Sequence, residues 1–441
     1  MRQIIYFIIA LLMMLFSSTG CQNKSSTIPT KKQLSSAEKY FNELQEKLES
    51  DNGKLWGIEL YGPTMFVFPE SHTIIANQQS KNNTLTKSGN VFYGILPENF
   101  NVANTALIYD GEKWATVTWG NFFSDKERNI LLIHESWHRI QDEIRLHACM
   151  SENQHLDSGN GSLLLKLEFM ALDKAVLALA NGKSDIMIDD LRDAIVIRNK
   201  RQQLNPQNNE NQFECHEGLA EYTALKLMAT DTSSMTEMVV RMSKKLEAGL
   251  EDEGFTNSFA YLTGPVYGFI LDAISPDWKK EVLSGKTIID VVKENVDISE
   301  NVDLDEEIKK IIVKYNAEDF VKNEESKINS KAAAEAQLID KFRNCDILMI
   351  LNNNINFSFN PNEKVISYDT VGMIYKTMKL SGDFGSIEAT DGIMINKDWA
   401  YFILPYSDKN AGKNGFKMEL NKGYEITNIS NNKYSIIKSE R

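Results

Sequence analysis

Five consecutive residues carry the most direct chemical signal: His134-Glu135-Ser136-Trp137-His138, the pattern HExxH. On a helix, positions i and i+4 share a face, so both imidazoles can reach one zinc ion. Glu135 falls within the same third of the helix circumference. A carboxylate there can take a proton from a metal-activated water and pass it on to a leaving amine, because zinc lowers the pKa of bound water to about 7. With six histidines among 441 residues, chance places this pattern in on the order of one such chain in a hundred.

A zinc site needs a third protein ligand, and the residues offer several. Glu214-Cys215-His216-Glu217-Gly218-Leu219-Ala220-Glu221-Tyr222 reads as a helix with Glu214, Glu217 and Glu221 within an arc of about 60°. Three carboxylates on one face repel unless a cation or solvent separates them. Leu219, Ala220, Ala224 and Leu225 crowd the neighbouring positions, which fits a half-buried helix better than a solvated one. Glu168 is a second candidate: it stands in the apolar run Leu167-Glu168-Phe169-Met170-Ala171-Leu172, where an unpaired charge is costly. It can be a ligand, a partner behind a ligand, or half of a buried ion pair with an arginine. On residue types alone the third ligand is open between Glu217, Glu168, His216 and Glu221.

Supporting roles follow from the same chemistry. Cleavage of a peptide builds negative charge on the former carbonyl oxygen and calls for a donor beside the metal. Tyr222, Tyr261 and Tyr267 are candidates, and Tyr261 is the choice. Gly264-Pro265 breaks an apolar stretch and suits a loop over the cleft. Trp137 and Ile140 should face the core, while Arg139 and Gln141 are placed to steady neighbouring carboxylates. His72, His147 and His155 are isolated and receive no metal role. Of the four cysteines, Cys149 and Cys215 lie near the site but lack a second cysteine at finger-like spacing. One disulfide among Cys149, Cys215 and Cys345 is compatible with an oxidising compartment.

The elements that must position these groups are legible in outline. From 56 to 119, short apolar runs such as Met65-Phe66-Val67-Phe68 and Ala115-Thr116-Val117-Thr118-Trp119 alternate with Gly, Pro and Asn, predicting an antiparallel sheet. Ser124-Asp125-Lys126-Glu127 forms a capping box for a helix running to 144. Further helices are expected at 162–180, 190–203, 210–228, 235–250, 261–274, 288–295 and 306–343. Beyond Cys345 the pattern returns to strands. The fold class is α+β: an N-terminal antiparallel sheet packed with a helical zincin-like core, then a small β domain. The expected divisions are 1–20, 21–52, 53–335 and 345–441, with the last boundary inside 332–345.

The N-terminus opens with Arg2 and an apolar run from Ile4 to Phe16, too short to span a bilayer comfortably. Ser17-Ser18-Thr19-Gly20-Cys21 then resembles the lipobox of bacterial lipoproteins, which implies cleavage after residue 20 and lipidation of Cys21. Residues 22–36 read as a flexible tether and 21–52 as tether plus short helix. The body is thus expected at a membrane surface of the cell envelope, and Gln22 is compatible with outer-membrane sorting. Net charge is −13, and loss of Arg2 with the leader makes it −14. This acidity argues against nucleic acid as a partner.

HExxH followed downstream by Glu217-Gly218-Leu219-Ala220-Glu221-Tyr222 resembles the gluzincin group of zinc metallopeptidases. That resemblance spans roughly residues 56–280 and implies one zinc per chain with Glu217 as third ligand. It also implies that Glu221 hydrogen-bonds a zinc histidine. The strings HESWHRIQ, LEFMAL, HEGLAEYTALKL and SFAYLTGPVYG are similar to a set of bacterial secreted proteins as well. One departure is the separation of His138 and Glu217, 79 positions (217 − 138), longer than in compact gluzincins; it keeps Glu168 in contention. The GxMEN-type string of gluzincin aminopeptidases is absent, which tilts the reading away from that type. The expected activity is zinc-dependent hydrolysis of peptide or protein substrates with Glu135 as base. Two other readings stand beside it: a catalytically silent surface lipoprotein binding a ligand through its β domain, and zinc hydrolysis of a non-peptide bond.

Overall fold

A computed structural model describes residues 28–439 apart from 101, 121, 158, 299–302, 361–364 and 407–414. Cys21 and the leader expected over 1–20 lie outside the described residues. The chain is α+β and separates into two units, one ending at Lys322 and the other beginning at Asn323.

In the first unit, helix α1 (Lys31–Asp51) starts earlier than the tether expected over 22–36 allows. Thr30 is the cause: its hydroxyl accepts from the Gln33 N–H while the Gln33 side chain accepts from the Thr30 N–H. Such a capping box meets two backbone donors at a helix start. Ala37, Phe41, Leu44 and Leu48 then bury one stripe of this 21-residue helix, so it is a core element and not a short one.

Six strands follow: β1 (Thr64–Val67), β2 (Thr73–Ala76), β3 (Thr86–Ser88), β4 (Val91–Ile95), β5 (Thr105–Tyr109) and β6 (Glu112–Thr118). Their order is β3-β4-β2-β1-β6-β5. The expected antiparallel sheet is in fact mixed, because β6 pairs parallel to β1 with Met65 opposite Thr116. The β5–β6 hairpin returns to the free side of β1 after β2, β3 and β4 have filled the other. Alternation along the strands divides the side chains between two faces. Met65, Val67, Ile74 and Trp114 form one cluster, and Phe66, Ile75 and Val117 join the helical core.

The helices that matter for the site are α2 (Asp125–Ile140), α3 (Gly159–Ala180), α4 (Ser184–Leu204), α5 (Glu210–Phe213), α6 (Leu219–Met228), α7 (Thr232–Gly249) and α8 (Ala260–Ile274). Ser124 caps α2 by accepting from the Glu127 N–H. The helix stops at Ile140 and not at 144, where the chain turns through Arg145 at φ 63°. Between α5 and α6 the expected single helix contains a π-helical turn, Glu214–Gly218. Pro265 lies inside α8, so the expected loop over the cleft is helix instead. The expected helix over 306–343 is two, Leu304–Lys314 and Glu318–Asn344, parted where Asn316 adopts φ 52°.

The second unit has a seven-stranded and a four-stranded sheet. Leu348, Ile393, Phe402 and Leu404 of the larger share a core with Leu380 and Ile387 of the smaller. On the other face of the larger sheet, Ile374, Met394 and Ile403 pack on Phe342.

Candidate metal centre

Three donor atoms converge in the first unit. His134 Nε2 and His138 Nε2 on α2 are 3.0 Å apart, and Glu217 Oε2 on the π turn lies 3.3 Å from each. Tetrahedral zinc with bonds of about 2.0–2.1 Å requires donors about 3.4 Å apart. The three atoms therefore match one triangular face of such a site, and the donor set of two imidazoles and one carboxylate suits zinc.

Outer contacts fix each donor. Gln141 Oε1 lies 2.7 Å from His138 Nδ1, so Nδ1 can donate to it while Nε2 is the ring nitrogen turned to the converging donors. The Gln141 amide in turn donates to the His216 carbonyl at 3.0 Å, tying α2 to the π turn. Glu221 Oε2 is 3.5 Å from His134 Nδ1 and its other oxygen takes a 3.1 Å bond from Lys245 on α7. Tyr261 donates its hydroxyl to Glu217 Oε2 at 2.5 Å, and its ring stacks on His134 with centroids 5.4 Å apart and planes 6° apart.

The local electrostatics follow from burial against pairing. Burial opposes charge on His134, but its contacts with Glu217 and Glu221 outweigh this and push it up to about 10. Glu217 is likewise buried, yet both histidines hold it well below the usual carboxylate range. Glu221 is held at about 2 against burial by Lys245 and His134. Glu135 behaves oppositely: burial raises its pKa, and its Oε2 has no hydrogen-bond partner among the described residues. A carboxylate with a raised pKa and a free oxygen is suited to accept and release a proton.

The geometry that brings Glu217 to α2 depends on a glycine contact. A Cβ built on Gly264 of α8 would lie 2.4 Å from Gly218 Cα, so only glycine at both positions lets the π turn and α8 cross this closely. That crossing sets Tyr261 beside Glu217. The π turn also alters the arc expected of the three glutamates. Its i→i+5 bond, Leu219 N–H to Glu214 O, takes up an extra residue, so Glu214 and Glu217 diverge from the ~60° an α-helix imposes. Glu217 faces the histidines, whereas Glu214 turns to Arg198.

The remaining candidates find other partners. Glu168 is fully buried, takes bonds from Arg198 Nε at 2.9 Å and Tyr267 at 2.6 Å, and ion-pairs with Arg201 at 2.6 Å; it is not among the converging donors. Tyr222 donates to Asp272 at 2.9 Å, which leaves Tyr261 as the one of the three tyrosines bonded at the site. His216 Nδ1 is 3.1 Å from the Cys149 carbonyl, and burial lowers its pKa to about 4. Among the described residues Cys149, Cys215 and Cys345 form no disulfide. Arg139 donates to the Leu60 and Tyr61 carbonyls and Gln141 serves His138, so neither side chain bonds the carboxylates expected of it. His155 contacts Glu210 at 2.7 Å. Trp137 and Ile140 are buried as expected.

Gln141 is the partner of His138 and not of a carboxylate, a pairing for which the i+3 spacing is a usable signal in the sequence. Lys245 carried no such signal. A second acidic trio, Asp189, Asp190 and Asp193, already holds the Lys314 ammonium at 2.6–2.9 Å. No protein family, characterised protein or solved structure matches this chain.

Proposed function

We propose that this chain is a zinc-dependent hydrolase of peptide bonds. The observation that carries the reading is the triangle of His134, His138 and Glu217 donors with a buried Glu135 oxygen, without a partner among the described residues, on the helix of the two histidines. When bound, zinc supplies Lewis acidity toward a carbonyl oxygen and makes water a nucleophile near neutral pH. Glu135 holds the proton taken from that water and delivers it to the departing amine. Gln141 and Glu221 keep the two imidazoles in the tautomer that presents Nε2. Tyr261 steadies Glu217 at rest, and its hydroxyl is a donor beside the three ligands for charge developing on a substrate oxygen. Work at the cell envelope on peptide or protein substrates, through lipid on Cys21, belongs to the same reading and rests on the resemblance of residues 17–21 to a lipobox.

Zinc content and peptide turnover of the purified chain test this together. Wild type should hold one zinc, and Glu217→Ala should lose it. Glu135→Gln should keep zinc while turnover falls ~10²–10⁴-fold, the usual weight of a positioned acid–base group. Metal-replete wild type without bound zinc would end the proposal.

A further inference from the structure

Behind the π turn lies a cluster of five buried charges, which has no part in the chemistry just described. Glu168, Arg198, Arg201, Glu210 and Glu214 each have side chains with 0% exposure. Arg198 grips Glu214 with two parallel bonds, Nη1 to Oε2 at 3.0 Å and Nη2 to Oε1 at 2.9 Å. Thr263 of α8 adds its hydroxyl to Glu214 Oε1. Arg198 Nε reaches Glu168 on α3, and Arg201 grips Glu210 on α5 through Nε at 3.0 Å and Nη2 at 2.5 Å. Two arginines of one helix thus hold both ends of the segment that leads into Glu217: Glu210 at its entry and Glu214 at the first residue of the π turn, three positions before Glu217.

Buried ion pairs are poor sources of net stability, since desolvation offsets their attraction. What they do supply is a fixed geometry, because a bidentate arginine–carboxylate pair tolerates little rotation. Here the fixed object is the residue whose carbonyl accepts the π bond from Leu219. If Glu214 slipped, the extra residue of the π turn would be taken up elsewhere and Glu217, three positions on, would rotate off the His134–His138 edge. Single π turns in otherwise α-helical segments occur frequently at functional sites.

We infer that Arg198 and Glu214 form a positioning clamp: they lock the π turn and thereby aim Glu217 at the two histidines. The clamp rests on the metal-site reading for its purpose, but its mechanical part, the locking of the turn, stands apart from any metal. Neither residue touches substrate or metal; both act through Glu217.

The test compares full-length wild type with Glu214→Gln, which keeps shape while removing the charge, and with Asp193→Asn. The second variant weakens the separate Lys314 cluster from a position on the same helix as Arg198. In metal-free protein, amide exchange at Leu219 should speed up at least about tenfold in Glu214→Gln and stay unchanged in Asp193→Asn. Cobalt(II) then serves as a spectroscopic probe of the ligand set. Glu214→Gln should bind it ~10–100-fold more weakly, the usual effect of losing an outer partner of a ligand, with altered d–d bands. Asp193→Asn should bind it with wild-type affinity and bands, whatever its melting temperature. Should Glu214→Gln fail to fold, Thr263→Val removes one bond to the same carboxylate and should move both readouts in the same direction. Wild-type exchange at Leu219 together with wild-type cobalt bands in a folded clamp variant would overturn the clamp alone. A wild-type chain that binds no cobalt would remove the metal reading and with it the purpose of the clamp, while the exchange arm would still report whether the turn is locked.

Discussion

Replacing Gly264 by alanine tests how the site is assembled. The added Cβ would stand 2.4 Å from Gly218 Cα and 2.9 Å from the Gly218 carbonyl carbon. Carbon atoms rest at about 3.5–4.0 Å, so α8 and the π turn must separate by more than about 1 Å. Both crowded atoms belong to backbone, and no rotamer change can relieve them. Overpacking of this kind costs ~1–3 kcal/mol. Glu217 adjoins Gly218, and Tyr261 lies one helical turn before Gly264, so the displacement passes directly to the 2.5 Å bond between them. A shift of that size is about half a zinc–ligand bond length, and zinc affinity should fall at least ~10-fold. Urea unfolding of the metal-free protein reads the first effect, and competition with a chromophoric chelator reads the second. Gly120→Ala, where a Cβ meets nothing within 4 Å, is the control and should stay within ~0.5 kcal/mol. Wild-type stability and zinc affinity in Gly264→Ala would refute the claim that this glycine contact sets the position of Glu217.

Other outcomes follow from the buried titrating groups. Glu221 is held at about 2 in the folded chain against an ordinary 4.5. Its contribution is complete above about pH 4.5 and is lost as pH falls through 2. Urea titrations of the metal-free protein between pH 7 and pH 3 should therefore show a shallower acid loss for Glu221→Gln than for wild type; equal slopes would count against the pairing. Cys215 is buried and its thiol is pushed up to about 12, mainly by burial. Native protein at pH 8 should alkylate Cys215 far more slowly than unfolded protein does, as peptide mapping after iodoacetamide would reveal. Fast labelling at that position would mean that the packing between the π turn and its neighbours opens readily.

Local signals explain what is legible in the sequence. The i, i+4 placement of His134 and His138 belongs to any α-helix, and Ser124 announces where that helix starts. Strand alternation and the long apolar-periodic runs likewise gave the α+β class, because each depends only on neighbours a few positions away. Capping at Thr30 was equally local, and the polar character of residues 22–36 obscured it.

Long-range packing decided the rest. Glu168 and Glu217 are both glutamates among apolar neighbours, and the sequence left either free to meet the histidines. Only the fold gives Glu168 to Arg198 and Arg201, 30 and 33 positions on, and turns Glu217 toward α2. The parallel pairing of β1 with β6 and the π turn opposite Gly264 are of the same kind. HExxH determined by itself that two imidazoles and a carboxylate would share a helix, since helical geometry is intrinsic to the backbone. The third donor required partners from distant helices to settle which buried charge was already neutralised, and that is a property of the packed molecule alone.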